Sequence, residues 1–497
     1  MNGTVERELK LEPPDTFSLA RLQPRLDSYV AAPVRLKRLH TVYYDTPDLR
    51  LTRWGCSLRL RHGEGWTLKI PVPQSSQALY REEHEFPEEG AGVPAAVLDL
   101  ATAYLRGAAP RPVAELRTLR ASRQLLSDGG EDLAEVVEDD VRVVEGTHVV
   151  RRFRQVEIEL ADAAPDDLLQ VLAHVLQAEG AGKPDPVPKN VHALGERARE
   201  PELSAPELGG DARISEVVRA ALTGSVERIV RYDAKLRLHA DEEAIHHARV
   251  AVRRLRSDLR TFRPVFERAW ADGLRERLSW LQDGLSAARD ADVLIEGLRK
   301  RSEALPDGDR RRLDEVLAPL REAREAAYEH VRAMLRERRY VLLLQALVDG
   351  AKRPAFEAAA DEPAREAIPR IVKDAWKTLR KRVRRRTRPP SDRELHGIRI
   401  AAKRARYGAE AVAPVAGRCA RRLASAAEEL QTILGEQHDA VVACERLHAL
   451  EAEPQRAFVA GELASLEYAA SLGARAAWRA EWNEAKRAWG RFERALR

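Results

Sequence analysis

Cysteine is scarce: Cys56, Cys419 and Cys444 are the three in 497 residues. They are too few and too scattered for a disulfide scaffold or a cysteine-rich metal site, and a reducing cytoplasm is the default expectation. No apolar run approaches the ~18 uninterrupted residues of a membrane span, so no membrane partner is expected. The opening MNGTVERELKLEPP carries charges where a secretory signal places its apolar core, and export by that route is not expected. Aromatic residues are only 5% of the chain, which leaves few platforms for stacking nucleobases. What is abundant is charge, 33% of residues, beside 44% hydrophobic residues that can build real cores. The length fits roughly two to four domains.

The net charge of +5 hides an asymmetry. Residues 1–200 hold 26 Lys and Arg against 32 Asp and Glu, and the remainder holds 58 against 47. An acidic half precedes a basic one, which suggests two electrostatic tasks, the second facing a polyanion. The texture changes with the charge. Up to about residue 160, short period-two runs bounded by Pro, Gly and Asp predict strands: VERELKL, HTVYYDTPD, CSLRLRHGEG, WTLKIPVP, LYREEHEF and RQVEIELAD. Amphipathic stretches near Pro94–Leu105 and Asp166–Gln177 predict helices. Beyond about residue 211, long Ala/Leu/Arg/Glu segments take over with a 3.6-residue period. The segment GERAREPELSAPELGGDA has neither period and predicts the linker. The expected organisation is a domain over 1–197, a linker over 198–211 and a helical domain over 212–497.

Side chains alternate sides along a strand, so Glu6, Glu8 and Lys10 share one face. So do Arg59 and Arg61, Thr67 and Lys69, Arg81, Glu83 and Glu85, and Glu157 and Glu159. One such strand is most simply half exposed, with its charges in water. Repetition with both signs, and little of the Thr/Ser/Gln mixture of an ordinary solvent face, favours another arrangement. If the sheet closes with these faces inward, a lane of carboxylates lies beside a lane of Arg and Lys. Carboxylates suit Mg²⁺ or Mn²⁺, and guanidinium and ammonium groups grip phosphoryl oxygens. Together they suit a linear polyphosphate with its cation.

The Glu-x-Glu-x-Lys start, the Tyr43–Pro47 segment, Leu-Arg-Leu-Arg at 58–61, Thr-Leu-Lys at 67–69 and Glu157-Ile158-Glu159 together resemble the CYTH domain. These are the triphosphate tunnel metalloenzymes, and the resemblance covers about residues 3–195. It implies an α+β domain with an eight-stranded antiparallel tunnel and metal-dependent hydrolysis of inorganic triphosphate, other triphosphates or RNA 5′-triphosphate ends. It also implies roles: Glu6, Glu8, Asp139, Glu157 and Glu159 as metal ligands or water-positioning acids, and Lys10, Arg59, Arg61, Lys69, Arg120 and Lys189 as the phosphate grip. Catalysis would rest on Glu6, Glu8, Lys10 and Glu159. Two positions depart from the family: Thr41 stands where Asp is common, and the Lys189 segment reads Val-Pro-Lys-Asn-Val-His.

The basic half repeats itself. His246-His247-Ala248-Arg249-Val250-Ala251-Val252-Arg253-Arg254-Leu255-Arg256 matches His396-Gly397-Ile398-Arg399-Ile400-Ala401-Ala402-Lys403-Arg404-Ala405-Arg406. Leu281-Gln282, Leu285, Asp290 and Val293 then match Leu430-Gln431, Leu434, Asp439 and Val442. Two blocks in one order at almost the same spacing, offset by 150 and 149 residues, indicate duplication of helical bundles, with halves near 212–350 and 360–497. In each copy the basic residues recur at three- and four-residue steps, a ridge beside an apolar stripe. A solvated basic face would explain one such helix, but not a histidine leading the ridge twice. Upstream, residues 377–388 form a denser basic cluster that would suit nucleic acid as readily as polyphosphate. The scarcity of aromatics disfavours nucleic acid.

This half resembles the CHAD domain, a helical module named for its conserved histidines and often fused behind a CYTH domain. The resemblance implies binding of inorganic polyphosphate, with association to polyphosphate granules, through His246, Arg249, Arg253, Arg256, His396, Arg399, Lys403 and Arg406. The combined expectation is an inorganic triphosphatase carrying a polyphosphate-binding module. A granule-targeting protein with a weak tunnel and a nucleotide or RNA 5′-triphosphatase are the alternatives.

Overall fold

The computed structural model describes residues 4–21, 25–26, 29–72, 79–90, 92–161, 164–165, 167–238, 242–449 and 454–495. It divides into two compact units, 1–202 and 203–497. The first contains strands β1 (Thr4–Glu12), β2 (Arg25–Leu26), β3 (Tyr29–Ala31), β4 (Arg35–Asp45), β5 (Ser57–Arg61), β6 (Gly65–Pro71), β7 (Leu79–Phe86), β8 (Arg111–Leu126), β9 (Asp132–Glu145), β10 (His148–Leu160) and β11 (Lys183–Pro184). Pairing runs antiparallel through β8-β4-β5-β6-β7-β1-β10-β9, and β9 pairs again with β8. Eight strands therefore close a hydrogen-bonded circuit, the expected tunnel. The short β2, β3 and β11 are appended to it.

The tunnel inverts the usual use of an amphipathic strand. Leu9 and Leu11 of β1, Val156 and Ile158 of β10 and Val136 of β9 face outward. They are buried beneath the helix Leu168–Ala178 through Leu169, Leu172 and Leu176. Packing the apolar faces against this helix turns the charged faces into the lumen. A second cluster, Tyr43, Leu116 and Val141 with Phe153 and Ala193, comes from the lumenal parity of its strands and packs against the helix Lys189–Leu194. The residues up to 202 belong to this unit: Glu202 accepts from Arg106 at 2.6 Å and from Trp54 Nε1 at 2.6 Å, with both ionic side chains buried.

The second unit is all helical. Its first half contains Ile214–Leu238, Glu242–Thr261, Arg268–Ser302, Leu313–Arg336 and Arg338–Lys352. The second contains Ala364–Arg385, Asp392–His448 and Pro454–Ala495. The long Asp392–His448 stretch is broken at Gly417, whose backbone (φ 66, ψ −145) is outside the helical range. It therefore counts as two helices, matching the ridge helix and its successor in the first half. Ile295, Leu298, Val316 and Leu317 share a core with Leu447, Val459 and Leu463, so the two halves pack together. No described helix is long and apolar enough to cross a membrane.

Candidate active site and basic groove

Strand register brings the predicted tunnel residues face to face. Glu8 lies opposite Glu159 and Lys10 opposite Glu157 on neighbouring strands. Ser57 pairs with Lys69, Lys69 with Glu83, and Arg120 with Asp139. A cavity of about 390 Å³ opens between these strands, lined by Glu8, Lys10, Arg59, Arg61, Lys69, Arg120, Glu157, Glu159 and Lys189. Of the predicted tunnel residues, the Glu6 side chain lies outside the described residues, and Asp139 lies behind the lining. Asp139 is almost fully buried and accepts both guanidinium bonds of Arg120, at 2.9 and 2.8 Å, with Lys189 Nζ at 2.5 Å. It thus orients two cations of the phosphate grip. Arg81, Glu83 and Glu85 also line the cavity. Their shared face was legible in YREEHEF, but no family motif marked them as site residues.

The lumen is strongly ionic. Lys10 Nζ sits 2.5 Å from Glu8 and 3.0 Å from Glu157. Burial works against ionising Glu8, but Lys10, Lys69 and Arg81 outweigh it and hold the carboxyl below its usual range, with Glu157 opposing. Burial likewise opposes ionised Glu157, and Lys10, Lys189 and Arg120 overcome it by a wide margin. Burial and the adjacent Arg59 make the Arg61 guanidinium less basic than usual, an effect its 2.7 Å bond to Glu64 only partly offsets. Glu83 anchors the opposite wall, 3.0 Å from Lys69 and 3.3 Å from Arg59.

One carboxylate oxygen from each of Glu8, Glu157 and Glu159 lies within 4.8 Å of the other two, so these three can share an ion. Glu8 Oε1 is buried and has no hydrogen-bond partner among the described residues. An all-oxygen set with an unmet acceptor fits a hard divalent cation such as Mg²⁺ or Mn²⁺.

In the second unit the two ridges meet. Arg249, Arg253 and Arg256 from one helix, and Lys403, Arg404 and Tyr407 from its duplicate, line a cavity of about 320 Å³. Arg253 Nε donates to the Tyr407 hydroxyl at 2.8 Å. Arg249 is braced by Ser286 at 3.1 Å and Asp290 at 3.0 Å. Burial, then Arg399, Arg253 and Arg249, push the Lys403 ammonium down to about 7. The His396 and His438 rings lie 4.2 Å apart, and burial followed by neighbouring cations lowers both. His246 packs edge-on against His247 and is lowered by burial, then Arg289. Arg399 adds charge to Lys403 and His438 without lining the cavity. Arg406 turns elsewhere, bonding Glu410 at 2.7 Å and Glu428 at 2.8 Å. Arg404, Arg260 and Arg275 complete the basic wall.

A closed antiparallel tunnel with an ionic lumen, followed by a duplicated helical bundle, defines a two-module protein. The CYTH domain model matches residues 4–186 and the CHAD domain model residues 220–448. An uncharacterized protein of Mycobacterium tuberculosis, Rv2226, is 31% identical over 449 residues, covering 84% of each chain. The chain belongs to the family that joins a CYTH domain to a CHAD domain. Among solved structures, the CHAD domain of Ricinus communis is 28% identical, covering 57% of this chain and 95% of its own, with a TM-score of 0.47. A putative adenylyl cyclase from Hippeastrum, described as having a dominant triphosphatase activity, is 16% identical, covering 38% and 94%, with a TM-score of 0.25. CYTH domains are metal-dependent tunnel enzymes, and membership in the family supports a triphosphate-related function for this chain.

Proposed function

We propose that the first unit hydrolyses inorganic triphosphate with Mg²⁺ or Mn²⁺, and that the second binds inorganic polyphosphate. The observation that carries this reading is that one cavity brings carboxylates and cations together. Three carboxylates that can share an ion face Arg59, Arg61, Lys69, Arg81 and Arg120 across it. Tyr43 is the one aromatic residue among the described lining, and it is buried, which favours a baseless chain over a nucleotide.

Glu8, Glu157 and Glu159 would hold the ion, which when bound supplies Lewis-acid polarisation of a phosphoryl oxygen. Arg59, Arg61, Arg81 and Lys69 spread positive charge over the non-bridging oxygens, and Arg120 and Lys189 are held ready by Asp139. Glu159, the least buried of the acid trio, orients the attacking water. Water adds to the terminal phosphorus as the P–O bond to the leaving diphosphate breaks, giving orthophosphate and diphosphate. The basic groove of the second unit retains longer chains by counterion release, and the protein works in the cytoplasm at polyphosphate granules.

The test is phosphate release from tripolyphosphate, ATP and thiamine triphosphate with each metal. Tripolyphosphate turns over fastest, and Glu8→Gln and Glu159→Gln abolish turnover while the circular dichroism spectrum is unchanged. Wild-type turnover in either variant overturns the assignment. Polyphosphate binding without turnover of any triphosphate selects a granule-targeting protein instead.

A further inference from the structure

The densest basic segment of the chain lies outside the groove. Residues 377–388 hold eight Lys and Arg and no acid. Most of them lie on the last turns of the helix Ala364–Arg385, whose other face is buried through Trp376, Leu379 and Val383. Lys377, Arg380, Lys381, Arg384 and Arg385 are exposed and line one shallow depression among themselves. Like charges four apart destabilise a helix, and here Lys377 and Lys381, and Arg380 and Arg384, have that spacing. Two acids lie near it: Asp374 pairs with Lys377 at the start of the face, at 3.5 Å, and Glu394, beside the adjoining depression, is taken up by Thr387 and Ser391 in a helix cap.

This face is joined to the groove. Lys381 and Arg385 also line an adjoining depression that contains Arg382. The Arg382 guanidinium crosses over Gly397, between His396 and Arg399 of the second ridge. A Cβ at Gly397 would lie 3.2 Å from Arg382 Nη1. Arg382 in turn adds charge to Arg404, which lines the groove. The exposed face from Lys377 to Arg385 is about 12 Å long at 1.5 Å per residue. Trp376 is buried beneath it, stacked on the half-buried Trp482 and Trp489, and no aromatic residue lines either depression, so the depressions offer phosphate contacts and no ring on which a base could stack.

We propose that this helix face extends the groove into one continuous cationic track, so that the second unit selects long inorganic polyphosphate over short chains. The proposal rests on the reading that the groove takes polyphosphate. The experiment separates the two. Binding of the full chain to polyphosphates of about ten and about one hundred phosphates is measured against salt. The triple variant Lys377→Gln/Lys381→Gln/Arg384→Gln changes only exposed residues and keeps the fold. It weakens the long chain on the order of tenfold and lowers its salt slope by about two, since each phosphate contact contributes about 0.7–0.9. The short chain binds it as it binds wild type. The groove variant Arg253→Gln/Lys403→Gln weakens both chains. Long-chain binding untouched by the triple variant but lost in the groove variant overturns the track and leaves the groove standing. Insensitivity of both chains to both variants overturns the groove reading itself. A triple variant that loses RNA binding but not polyphosphate binding makes the face a nucleic-acid surface and likewise overturns the track.

Discussion

Polyphosphate binding by the second unit should take up a proton at Lys403. In the free groove this ammonium is held near 7 by burial and by Arg399, Arg253 and Arg249, against an ordinary value of 10.5. The charged groups in its field are those three arginines and Asp439, with the lowered His396 and His438 beside it. A phosphate chain laid along the groove neutralises the arginines and returns Lys403 toward its ordinary basicity. The complex then binds one more proton than the free protein between those two values. The sign follows from linkage: affinity falls as pH rises, by about tenfold per unit above 7, until the bound ammonium itself titrates. Between pH 6 and 7 the Lys403 contribution flattens, and the lowered histidines act on the acid side of it. The assay is isothermal titration of the full chain with polyphosphate from pH 6 to 9 in buffers of different ionisation enthalpy, which counts the protons. Lys403→Arg stays charged throughout and removes most of the slope above pH 7. Wild type and Lys403→Arg losing affinity in parallel, with no proton uptake in wild type, would refute the reasoning.

Further outcomes concern charge buried in both units. Asp258 is fully buried, neither carboxylate oxygen has a hydrogen-bond partner among the described residues, and burial pushes it from 3.8 up to about 8. Its folded form therefore keeps a proton that the unfolded chain releases, and stability drains by about 1.4 kcal/mol per pH unit between those values. Asp258→Asn removes that slope, measured by hydrogen exchange of the helix Glu242–Thr261 at pH 5 and 8. Glu202→Ala leaves Arg106 buried without its carboxylate and destabilises the first unit by about 3–5 kcal/mol in urea. Asp139→Asn loosens Arg120 and Lys189 and raises KM for tripolyphosphate, while Mn²⁺ affinity without substrate stays near wild type because Asp139 already serves two cations. Gly182→Ala destabilises the first unit by about 3 kcal/mol or more, since φ is +88 and the new Cβ would meet the Glu12 carbonyl at 1.8 Å.

The parts legible in the sequence were those where one period dominates. Glu6-x-Glu8-x-Lys10 and Arg59-x-Arg61 announce a charged strand face because every second residue obeys it, and the strands fall where the alternation lies. Strand β8 was not legible. Its lumenal face reads Leu116, Thr118, Arg120 and its outer face Glu115, Arg117, Leu119, so neither face has a single character. Arg120 could be named only by family likeness, and its bond to Asp139 depends on register across two strands. Asp139 shows the same limit: a carboxylate with lumenal parity reads as a metal ligand until its cationic neighbours are known. The ridges were legible as helical stripes, but periodicity gives a face and not what it faces. That Lys403 meets Arg253 across a cavity, while Arg406 turns to Glu410, is set by packing between the duplicated halves.

Both modules solve one electrostatic problem in different ways. The tunnel interleaves opposite charges, so Lys10, Arg59, Lys69, Arg120 and Lys189 each have a carboxylate to hold them, as Lys10 has Glu8 and Glu157. Substrate oxygens then compete with those carboxylates, and a divalent ion that takes over the acids frees the cations to grip phosphate. The groove has fewer internal counter-charges: Asp283, Asp290 and Asp439 stand against Arg249, Arg253, Arg256, Arg399, Lys403 and Arg404. Crowding there leaves Lys403 partly neutral near pH 7. The tunnel should therefore depend steeply on divalent metal and weakly on monovalent salt, and the groove the reverse. Titrating KCl at fixed Mn²⁺ separates them: polyphosphate binding falls linearly in log[salt] while tripolyphosphate turnover changes little. Equal salt sensitivity in both would mean that the tunnel lumen is as open to bulk ions as the groove, and the argument from enclosed, internally paired charge would fail.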